Sequence, residues 1–164
     1  HLVLSTLHTN DAPSAVTRLL ELGIKPYLLN ATLNGVMAQR LVRILCPHCK
    51  QKTELHRVED LQAWEALVAP WKANRPAAIY KPLGCLECRM TGFIGRVGIY
   101  ETLLCSSGVK EIVGRGGDLA KIRELAYREG MKALRISGAM KVAAGFTTME
   151  EVLKNAPPAM DSAG

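Results

Sequence analysis

Four cysteines constrain this chain more than any other feature. They stand as Cys46-Pro47-His48-Cys49 and Cys85-Leu86-Glu87-Cys88, two CxxC pairs separated by residues 50–84. Residues i and i+3 of a tight turn can aim two sulfurs at one ion, and two such turns complete a tetrahedron. Pro47 presets the first turn. Closing the intervening loop costs about 3 kcal/mol in its length-dependent part, whereas structural zinc binding is worth on the order of 10–16 kcal/mol near neutral pH. The spacing therefore predicts Zn²⁺ held by Cys46, Cys49, Cys85 and Cys88, in a closed shell whose role is structural. Lys50 and Arg89, directly after the pairs, can offset the surplus thiolate charge.

Other readings of the same residues stand beside this one. Disulfides would leave Cys105 odd, and no secretory signal pattern is read in the sequence. A redox CxxC would not need a second copy. His48 is either a ligand or an exposed loop residue, and four cysteines already fill the shell.

With 164 residues, 48% of them hydrophobic, the chain can bury a core of one domain or two small ones. No stretch is long and apolar enough to span a bilayer. The net charge of +6 comes from Lys and Arg spread along the sequence, and aromatic residues are only 5%. That pattern points to solvated helix faces more than to a nucleic-acid arm or a stacking platform, so no specific nucleic acid is expected. An acidic membrane surface or acidic protein partner stays open. His1 opens directly onto an apolar run, which leads to the expectation of a segment cut from a longer protein.

Along the chain, Leu2-Val3-Leu4 reads as a buried strand leaving into a polar turn at Ser5 to Asp11. Asn10 or Asp11 can cap a following helix, with Pro13 in its first turn, Val16, Leu19 and Leu20 on one face and Gly23 as its stop. His8 then lies near the carboxyl end of the strand. In open α/β sheets that rim binds ligands, and helix amino ends there favour anions. His8 either donates to a phosphate oxygen or merely ties the turn together. Pro26 starts a second helix in which Leu29, Leu33, Val36 and Met37 fall at helical spacing, with Gln39 and Arg40 near its end. Leu41 to Leu45 reads as a strand delivering the first cysteines.

Between the pairs, Leu61, Trp64, Leu67 and Val68 mark a short amphipathic helix, and Ala78 to Tyr80 a small strand. Glycines 92, 95 and 98 punctuate Phe93-Ile94 and Val97 to Leu104, which predicts a turn and a hairpin strand presenting Arg96 outward. Helices follow: Val109 to Val113 capped by Ser107, Leu119 to Glu129 capped by Asp118, Leu134 to Ala144, and a last one through Leu153 with capping-box spacing at Thr147 to Glu150. The tail from 156 to 164 is expected to be loose. The whole is an α/β edge, a metal-held middle and a helical end.

Three separate stretches, in order, carry a resemblance: Leu2 to Ala12, Ala38-Gln39-Arg40-Leu41-Val42-Arg43, and Gly95-Arg96-Val97-Gly98-Ile99-Tyr100-Glu101, with the two CxxC pairs between the last two. Together they resemble the carboxy-terminal part of the type II secretion and type IV pilus assembly ATPases, over His1 to about Asn155. The resemblance implies an α/β fold: the edge of a RecA-like ATPase domain in 1–45, a tetracysteine zinc subdomain in 46–105, and a helical carboxy-terminal subdomain in 106–155. It implies a cytoplasmic homo-hexameric motor, peripheral to the inner membrane, that binds secretion or pilus platform proteins and converts ATP hydrolysis into fibre assembly. Thr6-Leu7-His8-Thr9 would be the histidine box, with Thr6 and His8 in the nucleotide site and His8 sensing the terminal phosphate. Arg18 and Arg96 would lie near a subunit boundary or be ordinary surface cations.

No GxxxxGK[ST] phosphate loop occurs in the sequence, and Gly114 to Gly117 lacks the Lys-Ser/Thr that would complete one. Phosphoryl transfer needs that cradle and its metal. ATP and Mg²⁺ are therefore expected to bind through an upstream part of the parent protein, with this segment inactive alone. The alternatives are a free-standing zinc-stabilised module that binds protein or nucleic acid, and an inactive remnant. Secretion and pilus extension are not separable from these residues, whereas the cysteines speak against a retraction motor.

Overall fold

A computed structural model describes residues 1–158. Residues 159–164, most of the segment expected to be a loose tail, lie outside the described residues. The chain folds as two compact units, neither of them continuous in sequence. Unit 1 holds His1–Ala38 and Glu101–Lys132, and unit 2 holds Gln39–Tyr100 and Ala133 onward. Two long strands, β1 (Gly35–Leu45) and β4 (Phe93–Leu104), pair with each other, and each gives one end to either unit. That shared pair is why consecutive stretches of sequence do not coincide with compact units.

Unit 1 carries α1 (Ala12–Glu21), α2 (Pro26–Thr32), α4 (Ser107–Gly114) and α5 (Leu119–Arg128). The Asp11 side chain caps α1 by accepting from Ser14 N, Pro13 sits in the first turn, and Gly23 at φ 88° follows its end. Asp118 caps α5 through Ala120 N and Lys121 N. The hydroxyl that caps α4 is that of Ser106, one residue before the one the sequence indicated. Helices α2 with α4, α4 with α5 and α1 with α5 pack around Val16, Leu29, Val109, Val113, Ile122 and Ala126, all buried.

Unit 2 carries β2 (Gln51–Glu54), α3 (Val58–Val68), β3 (Ala78–Lys81), α6 (Leu134–Ala143) and α7 (Met149–Asn155). Strands β2 and β3 are antiparallel, Gln51 opposite Lys81 and Glu54 opposite Ala78. Trp64 and Leu67 face inward from α3, which packs on α6 and α7. Buried Asp60 accepts from Arg57 Nε at 3.0 Å and Lys81 Nζ at 3.1 Å, so α3 is tied to β3 by a paired charge.

Three expectations fail here. Leu2-Val3-Leu4 forms no strand and is exposed, Leu4 at 89%. No strand among the described residues pairs with it, and an extended segment without a ladder partner has nothing to bury against. Val36, Met37, Gln39 and Arg40 lie in β1, not in a helix: α2 stops at Thr32, and residues spaced four apart share a face under both periodicities. Phe93 to Leu104 is one continuous strand rather than a turn and a hairpin strand, and β2 forms where the sequence indicated no element.

Candidate metal centre

The end of β1 places the first cysteine pair. Cys46 N donates to Gly92 O at 2.9 Å, and Cys49 N and Lys50 N turn back to Cys46 O at 3.4 and 3.0 Å. The second pair sits on a 3-10 turn, Leu86–Cys88, followed by Arg89 and Met90 at φ 50° and 62°. That left-handed pair is uncommon for residues with side chains, and it is held by Met90 N to Cys85 O at 2.8 Å and Thr91 Oγ1 to Cys88 O at 2.6 Å. Gly92 cannot carry a side chain, since a Cβ there would run into Pro82.

The consequence is a compact cluster of four sulfurs, all within 4.8 Å of one another. Cys46 to Cys85 and Cys49 to Cys88 are 3.8 Å, and Cys85 to Cys88 is 3.7 Å. A tetrahedral ion with metal–sulfur bonds of about 2.3 Å has sulfur–sulfur edges of about 3.8 Å. A disulfide needs about 2.05 Å, so pairing between these cysteines is excluded and all four are free. Backbone donors face the sulfurs: Gly84 N to Cys49 Sγ at 3.3 Å, Cys85 N to Cys88 Sγ at 3.2 Å and Gly92 N to Cys88 Sγ at 3.1 Å. Burial acts to raise the Cys88 thiol, but the Cys85 and Gly92 N–H groups and the neighbouring sulfurs outweigh it and bring the thiol down to about 6. The four cysteines could hold a metal ion as thiolates, and with four ligands in place no position is left for a substrate. His48 is exposed and outside the cluster. Lys50 Nζ donates to Gly145 O at 2.8 Å and lies 4.7 Å from the Tyr80 ring, and Arg89 is exposed. Main-chain N–H groups thus donate to the sulfurs of Cys49 and Cys88.

Thr6 and His8 are exposed in the irregular segment before α1, and Thr9 Oγ1 donates to Asp11 O at 3.0 Å. Arg18 is exposed on α1 with Glu21 at 3.1 Å, and Arg96 is exposed on β4 after Gly95 at φ 75°. Thr6, His8 and Arg18 belong to unit 1, and the cysteines and Arg96 to unit 2. The first turn of α1, expected to favour an external anion, already holds two carboxylates of the chain. Ala12 N donates to Glu101 Oε1 at 2.9 Å, and Ser14 N to Asp11 Oδ1 at 2.9 Å. The sequence reading missed Glu101 in this role. The available signal was a carboxylate in line with Ile99 and Leu103 on an otherwise apolar strand face.

Fold and site together define a mixed α/β protein with a compact cluster of four cysteines that could hold a metal ion. The chain belongs to the family described as type II/IV secretion system protein, whose model matches residues 1–154. It is 48% identical over 157 residues to the type IV pilus assembly ATPase TfpB of Acinetobacter baylyi, covering 96% of this chain and 26% of that protein. Against the type IV pilus assembly ATPase PilB of Myxococcus xanthus, identity is 47% over 96% of this chain and 27% of that one. The type II secretion system ATPase E of Vibrio cholerae is 40% identical over 94% of this chain and 29% of its own. The chain thus spans between a quarter and a third of the length of these relatives. No helix among the described residues is long and apolar enough to cross a membrane.

Proposed function

We propose that this chain is the carboxy-terminal segment of a hexameric ATPase that powers type II protein secretion or type IV pilus assembly. The observation that carries this is likeness along nearly the whole chain, 94–96% of it, to relatives named as ATPases of those two systems. In this reading the four cysteines hold one Zn²⁺, consistent with sulfur spacings of 3.7–3.8 Å. His8 senses the terminal phosphate, with Thr6 beside it, while Arg18 and Arg96 lie towards a neighbouring subunit. ATP and Mg²⁺ are held mainly by an upstream part of the parent protein, so the segment alone does not hydrolyse ATP. Residues 1–45 belong to a RecA-like domain, 46–105 to the zinc subdomain and 106–155 to a helical subdomain. The motor works at the cytoplasmic face of the inner membrane, docked on platform proteins. The match to a secretion-system family along nearly the whole chain does not favour the alternative of a free-standing binding module.

The test is a segment exchange in the Acinetobacter baylyi relative, replacing its matching stretch by this chain. ATP turnover and piliation are expected to persist, and His8→Ala in the exchanged segment to lower turnover at unchanged protein level. Loss of turnover in the exchanged protein, with its hexamer intact, would refute the assignment.

A further inference from the structure

Glu101 is buried to 3% exposure in line with Ile99 and Leu103, at 0% and 1%, on one face of β4. A carboxylate in an apolar stripe is costly unless its oxygens are bonded, and Oε1 accepts from Ala12 N, the first residue of α1, at 2.9 Å. An exposed helix end ordinarily needs one side-chain cap, and Asp11 already supplies it. Asp11 Oδ2 is also held by Arg123 of α5, NH2 at 2.6 Å and Nε at 3.1 Å, and Arg123 NH2 reaches Ser14 Oγ at 3.2 Å. The chain at 11–14 is therefore fixed to β4 and to α5 at once, more tightly than capping requires. His8 stands three residues upstream, and the Thr9 to Asp11 hydrogen bond shortens the lever between them. A side chain on an irregular segment is placed no better than its nearest fixed atom.

We propose that Glu101 is a positioning residue for His8: by holding Ala12 N it sets where α1 begins, and so where the segment bearing His8 leaves unit 1. This rests on the reading of His8 as the phosphate sensor. In the full-length ATPase, Glu101→Ala lowers kcat about tenfold with the KM for ATP little changed, as expected when a group near the chemistry is misplaced by a fraction of an ångström. Glu101→Gln, whose amide oxygen can still accept from Ala12 N, restores most of that loss. His8→Ala adds nothing in the Glu101→Ala background. In the chain by itself, Glu101→Ala speeds amide exchange at Ala12 and Ser14 about tenfold while Ile122 and Ala126 keep their protection.

The outcomes separate cleanly. If His8→Ala alone leaves turnover unchanged, the phosphate-sensing reading falls and the positioning role with it, even where exchange shows the tether intact. If His8→Ala slows turnover but the two losses multiply, or Glu101→Gln is as slow as Glu101→Ala, the positioning role is overturned and phosphate sensing survives. Equal acceleration of exchange at Ile122 and Ala126 would show a loss of fold instead, and would also overturn it.

Discussion

Arg43 and Glu151 show how much of this chain rests on single side chains far apart in sequence. Glu151 Oε1 takes Arg43 Nε at 3.0 Å and NH2 at 2.6 Å, and Oε2 takes Arg43 N at 3.0 Å. The guanidinium lies 4.1 Å from the Phe93 ring centroid. The Arg43 side-chain bonds hold the Glu151 carboxyl below its ordinary value against the opposing effect of burial, and the Arg43 main-chain N–H and charge add to the lowering. A carboxyl depressed in the folded state contributes stability that is fully present above its unfolded value and is lost as pH falls through the folded one. Glu151→Gln should therefore cost about 1–2 kcal/mol near neutrality, and the deficit should shrink as pH is lowered from about 7 to about 3. Urea unfolding at the two pH values checks this, and an equal deficit at both would contradict it. The four cysteines could be read from sequence because each knuckle is local, its two ligands three residues apart. Arg43 was visible only as a charge between apolar neighbours, since nothing local points to a partner 108 positions away.

Helices were the more legible elements, and strands were legible only in part: Leu41 to Leu45, Ala78 to Tyr80 and Val97 to Leu104 fall within strands, whereas the full length of β1 and β4 and all of β2 do not follow from the local sequence. Caps at Asp11 and Asp118 and left-handed glycines at 23, 130 and 145 mark helix ends within a few residues, while the cap of α7 is Thr148, one residue after the Thr147 that the capping-box spacing indicated, whose hydroxyl instead donates to Arg43 O. A strand is decided by its partner, and β1 and β4 find each other across the whole insertion between the cysteine pairs. The expected helix over Val36 to Arg40 fails because that partner leaves no mark in the local sequence. Among the helices, α6 and α7 approach closely because residue 138 is glycine: a Cβ there would run into Val152. In a free helix Gly→Ala gains roughly 0.5–1 kcal/mol. Overpacking costs about 1–3 kcal/mol, so the close approach decides the sign. Gly138→Ala should lower the urea midpoint, and Val152→Ala in the same chain should recover part of the loss beyond additivity. A Gly138→Ala variant more stable than the parent would show that α6 and α7 stand further apart.

At the scale of the whole molecule, the four-cysteine cluster brings together the two ends of the long insertion of unit 2. Residues 50–84, which include β2, α3 and β3, leave from one knuckle and return at the other. The same unit is stitched at the knuckle's edge by Lys50 Nζ to Gly145 O, Leu45 N to Phe146 O at 2.8 Å and Thr147 Oγ1 to Arg43 O at 2.8 Å. An ion that joins the two turns thus holds both ends of the insertion beside the α6–α7 connection. Closing a loop of this length costs about 3 kcal/mol in its length-dependent part, and because the unfolded chain offers no ready site, the binding energy of such an ion counts towards folding and offsets that cost. Both tryptophans, Trp64 and Trp71, lie in the insertion, so their emission reports unit 2 alone. Protein purified without chelator should carry one zinc per chain. Chelation should shift the tryptophan emission to the red and lower the urea midpoint read from it, and zinc should reverse both. Cys46→Ser should reproduce the chelated state without chelator, because it removes one of the four sulfurs while leaving the main-chain bond from residue 46 to Gly92 O in place. Emission and midpoint indifferent to chelation, in protein shown to have lost its zinc, would mean that packing alone holds the insertion closed.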